Sequence, residues 1–95
     1  MENRDAYVER LKAKLDEWNA EITRLEKEMR SASDEAQERY RARIDEMKAA
    51  MRDAESRMET LLDASDEEWA KARERFEQAW TDISEGFGRA WSRFF

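Results

Sequence analysis

Ser31-Ala32-Ser33-Asp34-Glu35-Ala36 is the stretch on which the fold turns. If the chain reverses here, it makes three helices of similar length. If it runs straight through, the first helix is twice as long as anything after it. Ser31-x-x-Asp34 is a helix-start signal, a hydroxyl cap followed three residues later by an acid. The apolar pattern points the other way. Leu25, Ala36, Met47, Met58, Trp69, Trp80 and Trp91 stand eleven apart, and the row crosses Ala36 without a jump. Eleven residues in three turns keep one face of a nearly straight helix in line. The spacing therefore predicts one coiled-coil helix through residues 1–62, regular from residue 3 and about 90 Å long at 1.5 Å per residue. A three-helix up-down-up bundle, turning at both candidate breaks, is the runner-up. A single uninterrupted helix is third.

The stronger break lies further on. Ser65-Asp66-Glu67-Glu68 is a capping box just before Trp69, and its acids suit the positive end of a helix. The reading is a turn or kink at 63–65 and a shorter aromatic-rich amphipathic helix over 66–95, about 43 Å long. Gly86 and Gly88 flank Phe87. Each costs about 1 kcal/mol against Ala inside a helix, so fraying or a bend is expected there. The fold class is all-α: a long amphipathic helix followed by a shorter one, in a coiled-coil or helical-bundle assembly.

Two apolar faces follow from the spacing. Val8, Leu11, Leu15, Trp18, Ile22, Leu25 and Met29 alternate steps of three and four, a heptad seam suited to another helix. Trp69, Phe76, Trp80, Ile83, Phe87, Trp91 and Phe94 line the second helix in a repeat of eleven. They are a candidate docking face for a client protein or a lipid surface, since surface-lying helices also use such repeats; the simpler reading is a bundle core. A 43 Å helix folded back from Ser65 reaches only about residue 35. That leaves the N-terminal seam open, and a homo-oligomer is the expected remedy.

Composition removes most chemistry. The chain has 95 residues, no His, no Cys, no Pro and two Gly. Without imidazole or thiol there is no zinc-finger set, no Ser/His/Asp triad and no Cys nucleophile, and the Glu-x-x-His pairs of di-iron bundles are impossible. Gly86-Phe87-Gly88 lacks the strand and the lysine of a phosphate loop. We expect no catalytic residue, no metal and no cofactor. The net charge of −6 disfavours nucleic acid. The charge divides evenly, −3 over residues 1–62 and −3 over 63–95. Arg39-Tyr40-Arg41-Ala42-Arg43 is the densest basic patch, but Glu35, Glu38, Asp45 and Glu46 balance it. Glu74 and Glu85 share a polar face and read as solvated acids. Acid-first pairs four apart, such as Glu26/Arg30 and Asp53/Arg57, mark solvated helix surface. No transmembrane segment and no secretory signal is visible, and the cytoplasm is the default compartment.

Leu11-Lys12-Ala13-Lys14-Leu15-Asp16-Glu17-Trp18-Asn19-Ala20-Glu21-Ile22, followed by Leu25-Glu26, resembles the opening of a family of short bacterial coiled-coil stress-response proteins. Tyr40, the run Ile44 to Met58, the segment Ala64 to Trp69, and Phe76-x-x-Ala79-Trp80 fit the same layout. Met and Arg stand where the family would lead one to expect Ala and Lys, and the Gly86-Phe87-Gly88 tail also departs. The resemblance implies a small cytoplasmic, non-enzymatic protein with a stress-related scaffold or client-binding role. It supplies no catalytic residues.

Overall fold

A computed structural model describes residues 3–92 as three helices: α1 (Arg4–Arg30), α2 (Asp34–Leu62) and α3 (Trp69–Ser92). They pack side by side in a body 53 × 20 × 19 Å across. The all-α reading holds, but the long helix over 1–62 does not: it is two helices, and the bundle is the architecture observed. The second helix also starts later than expected, at Trp69 rather than residue 66.

The local chemistry of the first turn explains the reversal. Ser31 closes α1, its backbone N–H donating to the carbonyls of Glu28 and Met29. Ser33 is extended, with φ −64° and ψ 161°, and its Oγ accepts from the Ala36 N–H at 3.3 Å. The Gln37 amide nitrogen donates to the Ala32 carbonyl at 3.2 Å. The cap is thus Ser33, two residues after the serine that begins the start signal. Lys27 and Arg30 lie in the last turn of α1, and Asp34 and Glu35 in the first turn of α2, each favourable for its helix dipole. The row of eleven misses this turn because a reversal can preserve its count. Leu25 and Met47 both face the same core from opposite strokes of the hairpin, each 0% exposed. A straight rod would leave both wet, and burying such a side chain contributes about 1.5–3 kcal/mol.

The second connection is longer. The Ser65 hydroxyl and carbonyl both accept from the Glu68 N–H, at 3.3 and 3.1 Å. This makes a turn, and the first α-helical bond follows it, from the Ala72 N–H to the Glu68 carbonyl at 2.9 Å. Arg4 ties this connection to the start of α1: its guanidinium donates to the Leu62 carbonyl at 2.7 Å and meets Asp66 at 3.3 Å.

Because the chain has already reversed once, α3 runs parallel to α1 and beside it. The N-terminal seam is therefore covered from within. Val8, Leu11, Leu15, Trp18, Ile22 and Leu25 are buried, and Met29 packs against the core half-buried. The ground for expecting self-association, an open seam, is gone. α3 continues through Gly86 and Gly88 without a positive φ, because Phe87 between them is anchored in the core. No charged or polar side chain is buried among the described residues. Glu26 pairs across the hairpin with Lys48 at 3.3 Å, and Asp53 pairs with Arg57 at 3.5 Å as expected.

Ser33→Ala should lower stability by about 0.5–2 kcal/mol, the usual loss for a cap, read as a shift in urea midpoint at constant slope. In a continuous helix the same change would be neutral or slightly stabilising, since Ala is the better interior residue.

Candidate functional site

The two faces singled out in the sequence are halves of one interface. Trp18 of α1 stacks on Phe87 at 4.1 Å between ring centroids and on Trp80 at 5.0 Å, with interplanar angles of 7° and 6°. Trp80 and Phe87 are seven residues apart on α3, about 10.5 Å along the axis, so the Trp18 ring lies between them. Phe76 continues the stack beneath Trp80 at 5.8 Å. Tyr7 then meets Phe76 and Trp69 edge-on, at 6.4 and 5.8 Å. At the other end Arg24 lies over the Trp91 ring at 5.2 Å; at this end Arg4 lies over Trp69 at 4.7 Å.

These rings hold α1 and α3 apart. Among the described residues no Cα of α1 comes within 8 Å of a Cα of α3, whereas α2 approaches both that closely. Closely packed helices have axes 8–10 Å apart, which brings some Cα atoms nearer than this. The α1/α3 junction is a wide seam floored by aromatic rings. It opens outward as two grooves. One, of about 410 Å³, is lined by Lys14, Glu17, Trp18, Ala20, Glu21, Phe87, Gly88 and Trp91. The other, of about 340 Å³, is lined by Tyr7, Arg10, Leu11, Lys14, Glu77 and Trp80.

The docking-face residues divide accordingly. Phe76, Ile83 and Phe87 are buried inside the bundle. Trp69, Trp80 and Trp91 are half-buried, the last two lining the grooves. Phe94 lies outside the described residues. The face as a whole is not free to meet a lipid or a client, because its centre already packs on the seam of α1. What remains accessible is its edge. The rims of that edge were not singled out in the sequence. Arg10, Lys14, Glu17 and Glu21 lie at steps of four, three and four, which puts them on one stripe of α1. Gly88 faces open space, with no atom within 4 Å of where a Cβ would stand. Its neighbour across the groove, Ala20, is also small.

The seam sets the acidity of Tyr7. Its hydroxyl donates to Glu77 at 3.2 Å. Burial, then the Glu77 charge and that hydrogen bond, push its pKa from 10.0 up to about 12, against weaker opposition from Arg73 and Arg10. The remaining candidates stay at the surface. Glu74 and Glu85 are exposed. Arg39 and Arg41 are exposed, while Tyr40 bonds Glu28 at 3.4 Å and Arg43 pairs with Glu46 at 3.1 Å. A surface groove of about 610 Å³ runs past Glu35, Glu38, Arg39 and Arg43, but its charges are mixed. Among the described residues no acidic cluster could hold a metal ion, and no helix is long and apolar enough to cross a membrane. No family model matches the chain, and neither a curated protein nor a solved structure matches it.

Two outcomes follow from the seam. In single-tryptophan proteins with the other tryptophans replaced by Phe, Trp18 should be the one best shielded from acrylamide, being 5% exposed. Trp80 and Trp91, half-buried at the groove, should quench more readily. Stability should also fall as pH rises from about 10 to about 12: there the folded state holds the Tyr7 proton while the unfolded chain has released it. Tyr7→Phe removes this titration and should flatten that part of the curve, followed by urea melts at fixed pH.

Proposed function

We propose that the protein is a non-enzymatic helical scaffold that works by accepting an amphipathic helix along the α1/α3 face. One observation carries this reading: the aromatic seam separates α1 from α3 and leaves Trp80 and Trp91 lining open grooves. An apolar floor with charged rims suits a helix laid in a groove. Tryptophans at such a surface are the residues most able to anchor a partner. Gly88 and Ala20 let a partner's backbone come close. The cytoplasmic, stress-related role implied by the resemblance of Leu11 to Ile22 is part of the proposal, and rests on that resemblance.

The lipid-surface alternative fits less well. Docking α3 on a membrane by its apolar face would pull Phe76, Ile83 and Phe87 out of a core they already fill. The acids Glu74, Glu77, Asp82 and Glu85 on the same helix would also meet an anionic membrane unfavourably.

The test uses a synthetic amphipathic helix of about five turns, with Leu at the a and d positions and mixed charges elsewhere. It should blue-shift the emission of Trp80 and Trp91 and protect them from acrylamide. Gly88→Phe fills the groove from a position where nothing stands within 4 Å, and should abolish that response while leaving helicity intact. Vesicles of phosphatidylcholine and phosphatidylglycerol should give no shift. A shift with vesicles and none with the peptide would overturn the scaffold reading in favour of the lipid surface.

A further inference from the structure

We propose that the partner on the α1/α3 face is a second copy of this chain, laid antiparallel so that the charged rim of its α1 meets this one across a two-fold axis. This rests on the scaffold reading above and adds the partner. The order of charges on the rim selects this pairing. Reading up α1, the groove is bordered by Arg10 and Lys14, then by Glu17 and Glu21. On the α1 side the lower half is basic and the upper half acidic, while Glu77 of α3 stands across the lower groove and bonds Tyr7. A two-fold axis between Lys14 and Glu17 places Lys14 opposite Glu17 and Arg10 opposite Glu21, in both directions at once. A parallel pairing puts like charge against like along the whole stripe. Opposite charges that match only in one orientation fix register and direction in helix pairs, and the two-fold arrangement is the commonest closed assembly.

Three further observations agree. The ion pairs that Lys14, Glu17 and Glu21 make within the chain are long and exposed. Lys14 meets Glu17 at 3.4 Å and Glu21 meets Arg24 at 3.9 Å, all between half-exposed groups. Such surface pairs are readily exchanged for others. The face is also large enough: α1 has 27 residues, about 40 Å at 1.5 Å each, and the bundle is about 20 Å wide. The projected area of about 800 Å² per copy is that of a standard interface. Gly88 gains a reason it lacks within one chain, where its φ is ordinary and no neighbour crowds it.

The experiment is a charge swap. Wild-type protein should show, by light scattering, twice the 11.4 kDa chain mass. Arg10→Glu with Lys14→Glu makes the stripe wholly acidic; Glu17→Lys with Glu21→Lys makes it wholly basic. Each double variant alone should stay helical by circular dichroism and dissociate at least tenfold more readily. Mixed one to one, they should form a heterodimer. All four changes in one chain restore opposite charges across the axis and should restore the homodimer. A wild-type monomer at several hundred micromolar overturns the inference. So does a dimer that survives in both double variants, because its interface then lies elsewhere. If the wild type is monomeric but the amphipathic peptide still protects Trp80 and Trp91, only the second copy is lost and the scaffold reading stands. If neither occurs, both fall.

Discussion

The Trp18 ring, held between Trp80 and Phe87, is the contact on which the arrangement of the third helix depends. α1 and α2 are joined by a tight turn and approach each other closely, and α2 and α3 do the same across the second connection. Only α1 and α3 lack backbone proximity. Their side of the triangle is closed by rings, with Trp18 inserted from α1 into the gap between two rings of α3 set two turns apart. Tyr7 against Trp69 and Phe76 repeats the pattern one stretch lower. Large aromatic side chains bury the most area per residue and gain further from ring–ring geometry. They can therefore bridge a distance that Leu or Ala would leave as a void.

That choice has a consequence for the surface. A junction spaced by aromatic rings cannot be as narrow as one spaced by small aliphatic residues. The rings at its outer edge stay half covered, and grooves form where the spacing exceeds what they fill. Opposite, the α1/α2 junction is filled by Met47, Met51 and Met58 beside Leu15 and Ala54. Met adapts to irregular space but specifies it poorly. The bundle thus has one junction filled by flexible Met side chains, with a groove of about 390 Å³ past Leu15, Met51 and Met58, and one spaced by aromatic rings. No buried charge or buried polar side chain intervenes among the described residues. The specificity of any association must come from the rim charges, not from the core.

Much of this was legible in the residues. The heptad steps from Val8 to Met29 and the aromatic row of α3 identified both halves of the core. The capping box at Ser65 located the second connection. What the row of eleven concealed was the first turn, because Leu25, Ala36 and Met47 keep their spacing through a reversal. Periodicity reports which residues face the core; it does not report whether the chain has changed direction between them. Direction was marked only locally, by Ser33, two residues past the first serine, and by the charge change from Lys27 and Arg30 to Asp34 and Glu35. With the turn left out, the seam lacks a cover that the chain itself provides. The grooves had no signature of their own. They arise from the size of rings on two helices that are distant in sequence, and from Gly88, which in the sequence looked only like a weak point.

The most direct test of this account is a double-mutant cycle on Trp18 and Phe87. Unfolding free energies would be measured for the parent, Trp18→Ala, Phe87→Ala and the double variant, in urea. If the stack is what closes the third side of the bundle, the two losses will not add: the coupling should be at least about 1 kcal/mol, as for residues in direct contact. Losses that add to within about 0.3–0.5 kcal/mol would mean the two rings act independently, and the bundle would then be held together by something other than this contact.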